Sequence, residues 1–305
     1  MYAPHDTFLL FTSARELTSA EDESLKSLHA QPADKVLHVF GSDYVLTLGL
    51  DVVEPLAPCG WLGCPAINSR FGLLQNYLCT SLQDKATLVL STYVWSVFNR
   101  DCESKHARGK KEHIGLVEQH LDSFSMDKAE IKRVFVPINT GSKTSSGEHW
   151  KAVFLQVESS SAHPEGSIWD MDSMKNGSQD RSLYRQFCTD IYTFLRPEGT
   201  ARLHTTNQLC KHHPYKTALP CVKALGGRPL QDNGYDCGIF MASNVESMAL
   251  RGRFDFVQAD MESLRSQYQL QFALFCGPLS QVKPVRSHLS SMTCIHTFIH
   301  TSYPL

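Results

Sequence analysis

The stretch 133–172 constrains the fold more than any other part of the chain. Residues 133–138 and 150–157 are dominated by Val, Ile, Phe, Leu and Trp, interrupted by Arg133, Pro137, Lys151, Ala152 and Gln156. They are bounded by Ser-, Thr-, Gly- and Glu-rich loops at 141–148 and 158–166. Apolar runs this short, enclosed by turn residues, read as buried strands, and 167–172 reads as the strand that returns beside 150–157. On either side the period changes to that of helices. Ile67, Phe71, Leu74 and Leu78 fall on one face of 65–78, with Pro65 at its start. Residues 113–124, 182–195, 237–250 and 258–275 also have helical spacing, 237–250 as an apolar helix and 258–275 as an amphipathic one. Helices flanking a short central run of strands define an α+β fold.

The rest of the chain fills in around this centre. Residues 36–40 and 44–50 read as strands about the turn Gly41-Ser42-Asp43, 88–99 as one more apolar stretch, and 101–112 as an exposed charged loop. Residues 197–230 are rich in Gly, Pro and His and read as irregular. The expected organisation is an N-terminal extension over 1–34, able to hold a short helix, a main domain over 35–277 and a tail over 278–305. With 42% hydrophobic and 20% charged residues in 305, the chain can build a sizeable core. A formal net charge of -2 offers no general attraction to nucleic acid. No stretch approaches the roughly 18 apolar residues of a membrane span. The ten cysteines have no framework spacing and the start lacks a basic leader. They are expected to be reduced thiols in a nuclear or cytoplasmic monomer.

The chemistry concentrates at Gln231-Asp232-Asn233-Gly234-Tyr235-Asp236-Cys237-Gly238-Ile239-Phe240. Polar turn residues lead straight into an apolar helix, with a cysteine at the junction. A helix N-terminus presents free N–H groups and partial positive charge, which favour the nucleophilic thiolate. Gly238 leaves room for a substrate, and Gln231 can aim an amide N–H beside the backbone N–H of Cys237 to bind an oxyanion. The plainer reading of an isolated cysteine is a small buried hydrophobe. The glycine-flanked turn and the upstream Gln favour function here.

A thiolate catalyst needs a base and a group to orient it. Among fourteen histidines, His149 follows a polar loop and directly precedes the strand at 150–157, a rigid place for a base. A histidine at a strand edge is otherwise an ordinary solvated residue. Asp170 and Asp172 share one side of the neighbouring strand, and spacing does not choose between them.

The ordered set His149-Trp150, Asp172-Ser173-Met174, Gln231 and Asp236-Cys237-Gly238 resembles the pattern of the ubiquitin-like proteases, which process and remove SUMO and the related Nedd modifier. Trp61-Leu62 with Ile67-Asn68, Leu90-Ser91-Thr92, the strand 133–138, and Phe254-Asp255-Phe256 through Asp260-Met261 resemble further family segments, so the likeness covers 35–277. It implies a papain-like variant of the α+β class, with catalytic Cys237, His149 and Asp172 and with Gln231 in the oxyanion hole. It selects Asp172 over Asp170 because the family's Asp precedes Ser. It implies that Trp61 and Trp150, otherwise ordinary core residues, roof a channel admitting the modifier's Gly-Gly tail. The implied partner is such a modifier and its conjugates, with no cofactor and no metal. The length of the loop 140–148 resembles the deneddylase branch, which implies Nedd ahead of SUMO.

The chain departs from the family at Gly63-Cys64, at the longer hairpin 158–166 and at the inserted 201–225. Cys210, His212, His213 and Cys221 lack the paired spacing of a zinc site. Lys105, Arg108, Lys110 and Lys111 read as a solvated loop. Two other functions stand beside the protease. One is a non-catalytic binder of a ubiquitin-like protein, which the Gly63-Cys64 change would allow. The other is a Cys-His acyltransferase, which would need a cofactor pocket.

Overall fold

The computed structural model describes residues 18–29, 56, 59–103, 111–140, 149–157, 167–174, 181–198, 204–206, 229–252 and 254–275. Outside them lie the expected strands at 36–40 and 44–50, the loops 141–148 and 158–166, the tail 278–305, and Lys105, Arg108 and Lys110. The Cys210, His212, His213 and Cys221 group also lies outside.

The described elements are α1 (Ser19–His29), α2 (Cys64–Thr80), β1 (Thr87–Val89), α3 (Thr92–Glu103), α4 (Glu112–Ser123), β2 (Arg133–Asn139), β3 (Trp150–Gln156), β4 (Ser167–Met171), α5 (Arg181–Leu195), β5 (His204–Thr206), α6 (Cys237–Arg251) and α7 (Met261–Phe275). The strands form one sheet in chain order. β2, β3 and β4 are antiparallel neighbours, and β1 and β5 add to the edges in parallel. Both faces are covered, which is why β2 and β3 read as continuous apolar runs rather than alternating ones. Trp150, Ala152 and Phe154 of β3 face a core built with α2 and α6. Val153 and Leu155 face a second core with Trp95 and Phe98 of α3, Val117 of α4 and Phe187 of α5.

Three expectations change in detail. The apolar stretch 88–99 divides into β1 and α3, because the amide of Thr92 is capped by Asn68 Oδ1 of α2 at 2.7 Å and so starts a helix there. The helix expected at 258–275 opens with a 3₁₀ turn, Gln258–Asp260, in which Asp260 Oδ2 accepts from the amide of Val257. The irregular region contributes β5, and α1 of the N-terminal extension lies against α7. No helix among the described residues is long and apolar enough to cross a membrane.

A buried polar network fixes α6 in this frame. Arg70 of α2 pairs with Glu246 of α6, and its guanidinium lies 4.2 Å over the ring of Tyr268 of α7. The Tyr268 hydroxyl contacts Ser243 at 2.8 Å and Glu246 at 3.2 Å. Breaking one partner of a buried pair like this costs about 3–5 kcal/mol, so the helix carrying Cys237 is held from two sides.

Candidate active site

Cys237 is the first residue of α6, and the turn before it is held by its own Asn233 and Asp236 together with Gln258 and Arg265 from later in the chain. Asn233 Oδ1 accepts from the amides of Tyr235 and Asp236 at 3.2 and 3.0 Å. Asp236 occupies the N-cap position but does not cap the helix with its side chain. Its carboxylate instead accepts from Asn233 Nδ2, Gln258 Nε2 and the Nε and Nη2 of Arg265, all within 3.0 Å. Arg265 also donates to the carbonyl of Gly60 at 2.8 Å. One buried guanidinium on α7 thus ties the cysteine's turn to the segment carrying Trp61. Sequence reading missed Arg265. Its one local signal is a charge inside an otherwise packed helix.

His149 is anchored through its carbonyl, which accepts from the Thr140 amide at 2.9 Å at the end of β2. Its Nε2 lies 2.7 Å from Asp172 Oδ1. That leaves Nδ1 as the nitrogen available to the Cys237 thiol, with which the ring also interacts. Burial acts to lower the pKa of His149. The hydrogen bonds to Asp172 and Cys237 and their negative charges outweigh it and bring the value up to about 9. Burial likewise pushes the Asp172 carboxyl up. The His149 hydrogen bond, the Met174 amide at 2.9 Å and the charges of His149 and Lys151 outweigh that and hold it below the usual carboxylate range. Asp170 turns elsewhere, to Lys151 Nζ at 3.0 Å. The structure therefore brings together Cys237, His149 and Asp172, and sets Asp170 apart.

Gln231 joins the same cluster through Ser173, the residue after Asp172. Ser173 Oγ donates to Gln231 Oε1 at 2.6 Å, and Gln231 Nε2 donates to the Asn233 carbonyl at 2.7 Å. A carbonyl can only accept, so this contact fixes which end of the amide is nitrogen. The Gln231 backbone N–H also donates to the Ser173 carbonyl at 3.0 Å. Adjacent residues Asp172 and Ser173 thus orient the imidazole and the amide respectively.

The two tryptophans are placed differently from one another. Trp61 is 49% exposed, whereas Trp150 is 3% exposed and sits in the core with Leu62, Met171 and Cys237. Trp150 Nε1 donates to the Leu62 carbonyl at 2.7 Å. Gly238 also differs from expectation. A Cβ there would lie 2.7 Å from the Cβ of Leu62, so the space kept by this glycine is filled by the protein's own Leu62. Gly63 and Cys64, the departure from the family, form the start of α2. Gly63 is the extended N-cap residue, and Cys64 is a partly buried thiol whose pKa is raised by burial.

No group of three His, Cys, Asp or Glu side chains able to hold a metal occurs among the described residues. A cysteine at a helix N-terminus, facing a histidine and aspartate at the ends of antiparallel strands, defines a cysteine peptidase of papain-like fold. Residues 76–277 match the model of the Ulp1 protease family, C-terminal catalytic domain, and the chain belongs to that family. Its fold is similar to that of the C-terminal Ulp1 protease domain solved in complex with Smt3, the yeast ortholog of SUMO. That match has 16% identity and a TM-score of 0.56, covering 86% of this chain and 97% of that one. It is also similar to the Chaetomium thermophilum Ulp1-like SUMO protease catalytic domain, with 15% identity, a TM-score of 0.59 and coverage of 84% and 89%. A third, described as the de-sumoylating protease, has 13% identity, a TM-score of 0.52 and coverage of 78% and 90%. Comparison with curated proteins finds no match.

Proposed function

We propose that this cysteine peptidase cleaves after the C-terminal Gly-Gly of a SUMO-type modifier, both in precursors and in isopeptide conjugates. The observation that carries the reading is the contact of His149 with both Asp172 and Cys237 at the mouth of α6. In this reading His149 takes the thiol proton and the Cys237 thiolate attacks the glycine carbonyl. The oxyanion is met by the Cys237 amide and by the second N–H of Gln231, whose amide is already held by Ser173 and Asn233. The imidazolium, kept protonated by Asp172, gives its proton to the departing lysine amine. Water, deprotonated by the same imidazole, then releases the thioester and restores the thiol.

Trp61 supplies exposed aromatic surface for the tail, and Trp150 holds the carbonyl of the neighbouring Leu62. The preference for Nedd rested on the loop 140–148, most of which lies outside the described residues. The fold relatives described by their substrates are SUMO proteases, and SUMO therefore fits at least as well as Nedd. A Nedd-type modifier is the second reading.

The test is a panel of SUMO, Nedd and ubiquitin carrying a thiol-reactive group at the C-terminus. Adduct formation with SUMO, lost in Cys237→Ala, is the expected result. An adduct with Nedd alone would reverse the choice of modifier and keep the chemistry. No adduct from folded protein would leave only a binder.

A further inference from the structure

Lys151 is completely buried, one residue after Trp150 on the central strand. The next residues on its side of β3, Val153 and Leu155, are buried and apolar. An ammonium in that row is strongly unfavourable unless it is paired. Its Nζ lies 3.0 Å from Asp170 Oδ2. The β3–β4 register runs from Gln156↔Ser167 to Ala152↔Met171, and one further step sets Lys151 opposite Asp172. Asp170 and Asp172 are two apart on the strand and lie on one side. The order across the hairpin is therefore Asp170, Lys151, Asp172, His149, a carboxylate and a cation in alternation.

α5 presents Cys188 toward Asp170, and burial raises the pKa of that thiol and keeps it neutral. β2 places Ile138 across from Lys151, and α6 presents Cys237 to His149. The Lys151 charge also helps to keep Asp172 ionised.

We propose that Lys151 is a positioning residue for the catalytic pair: by holding Asp170 it leaves Asp172 as the carboxylate for His149 and balances the second negative charge beside them. This rests on the proteolytic reading of Cys237, His149 and Asp172. Without the ammonium, the Asp170 carboxylate would lose this partner two residues from Asp172 and would act more strongly on the same imidazole. Met is close to Lys in shape and is tolerated by apolar surroundings.

The experiment follows the titration of His149 by NMR in histidine-labelled protein, assigned by its loss in His149→Gln, with modifier cleavage measured in parallel. Lys151→Met removes a positive charge and should raise the midpoint by about half a pH unit or more. Asp170→Asn should lower it by a similar amount. The double variant, which restores the net charge, should return it close to that of the unchanged protein. If Lys151→Met does not fold, Asp170→Asn and the double variant decide the matter, since the downward shift and its reversal are still required. Midpoints that stay put while the variants merely melt lower would overturn the proposal and leave a structural ion pair. Shifts as expected with no modifier cleaved would overturn the proteolytic reading instead. Cleavage with unmoved midpoints would overturn this inference alone.

Discussion

A Cβ on Gly238 would lie 2.7 Å from the Cβ of Leu62, so the residue after the nucleophile is held against the segment that carries Trp61. Leu62 is fixed from the other side by Trp150 Nε1 on its carbonyl, and Gly60 by Arg265. The Trp61 loop and the helix of Cys237 therefore behave as one body. The clashing atom is a Cβ close to backbone, so it can retreat only if the loop moves. Gly238→Ala is expected to cost about 1–3 kcal/mol by overpacking. It should also reduce adduct formation at Cys237 well beyond the stability loss. Thermal melting compared with probe labelling checks this, and unchanged labelling would show that the loop adapts freely.

The raised value of His149 sets a pH window. It moves from 6.5 up to about 9 on folding, because Asp172 and Cys237 favour the charged ring over the opposing effect of burial. A raised folded value stabilises the fold fully below about pH 6.5. That contribution fades as pH climbs through about 9. The imidazolium is also the proton donor to the leaving amine, so kcat/KM should fall on an alkaline limb near pH 9. Rate–pH profiles on an isopeptide conjugate, and melting curves across the same range, test both parts. An alkaline limb near pH 6.5 would mean that the ring is not held as the ion.

Gln231 and Ser173 should separate into two sizes of effect. Gln231→Ala removes an oxyanion donor and should lower kcat by roughly 10²–10³-fold with little change in KM. Ser173→Ala leaves the amide in place but frees its carbonyl end. Loss of one hydrogen bond of that kind is worth about 1 kcal/mol, or roughly 5-fold in kcat. Steady-state kinetics on both variants decide this. Equal losses would place Ser173 in direct contact with the reaction.

The two tryptophans should part in the opposite way. Trp61 is exposed, so Trp61→Ala should change stability by about 0.5 kcal/mol or less while reducing turnover of Gly-Gly-tailed substrates. Trp150 is buried and hydrogen-bonded, so Trp150→Ala should cost about 3–5 kcal/mol and lower activity through the fold. Chemical denaturation alongside turnover distinguishes them.

Local pattern was enough for much of this protein. The apolar runs at 133–138 and 150–157 announced β2 and β3, because a strand covered on both faces needs apolar residues at most positions, and a charge such as Lys151 is kept there only with a partner. Gln231, Cys237 and Gly238 were legible because a turn that opens a helix is a property of consecutive residues. His149 stood out because it abuts a strand.

What the sequence left open required contacts between distant segments. Spacing put Asp170 and Asp172 on one side of β4 and could not choose between them. The choice is visible only where Lys151 takes Asp170 and His149 takes Asp172. The start of α3 is set by Asn68 on another helix, and the reason for Gly238 lies in Leu62. Arg265 bonds to Asp236 and Gly60 from α7. Each of these depends on which side chains the packed elements bring within hydrogen-bonding or van der Waals distance. Periodicity along the chain fixes which face a residue occupies, and only tertiary packing fixes what that face meets.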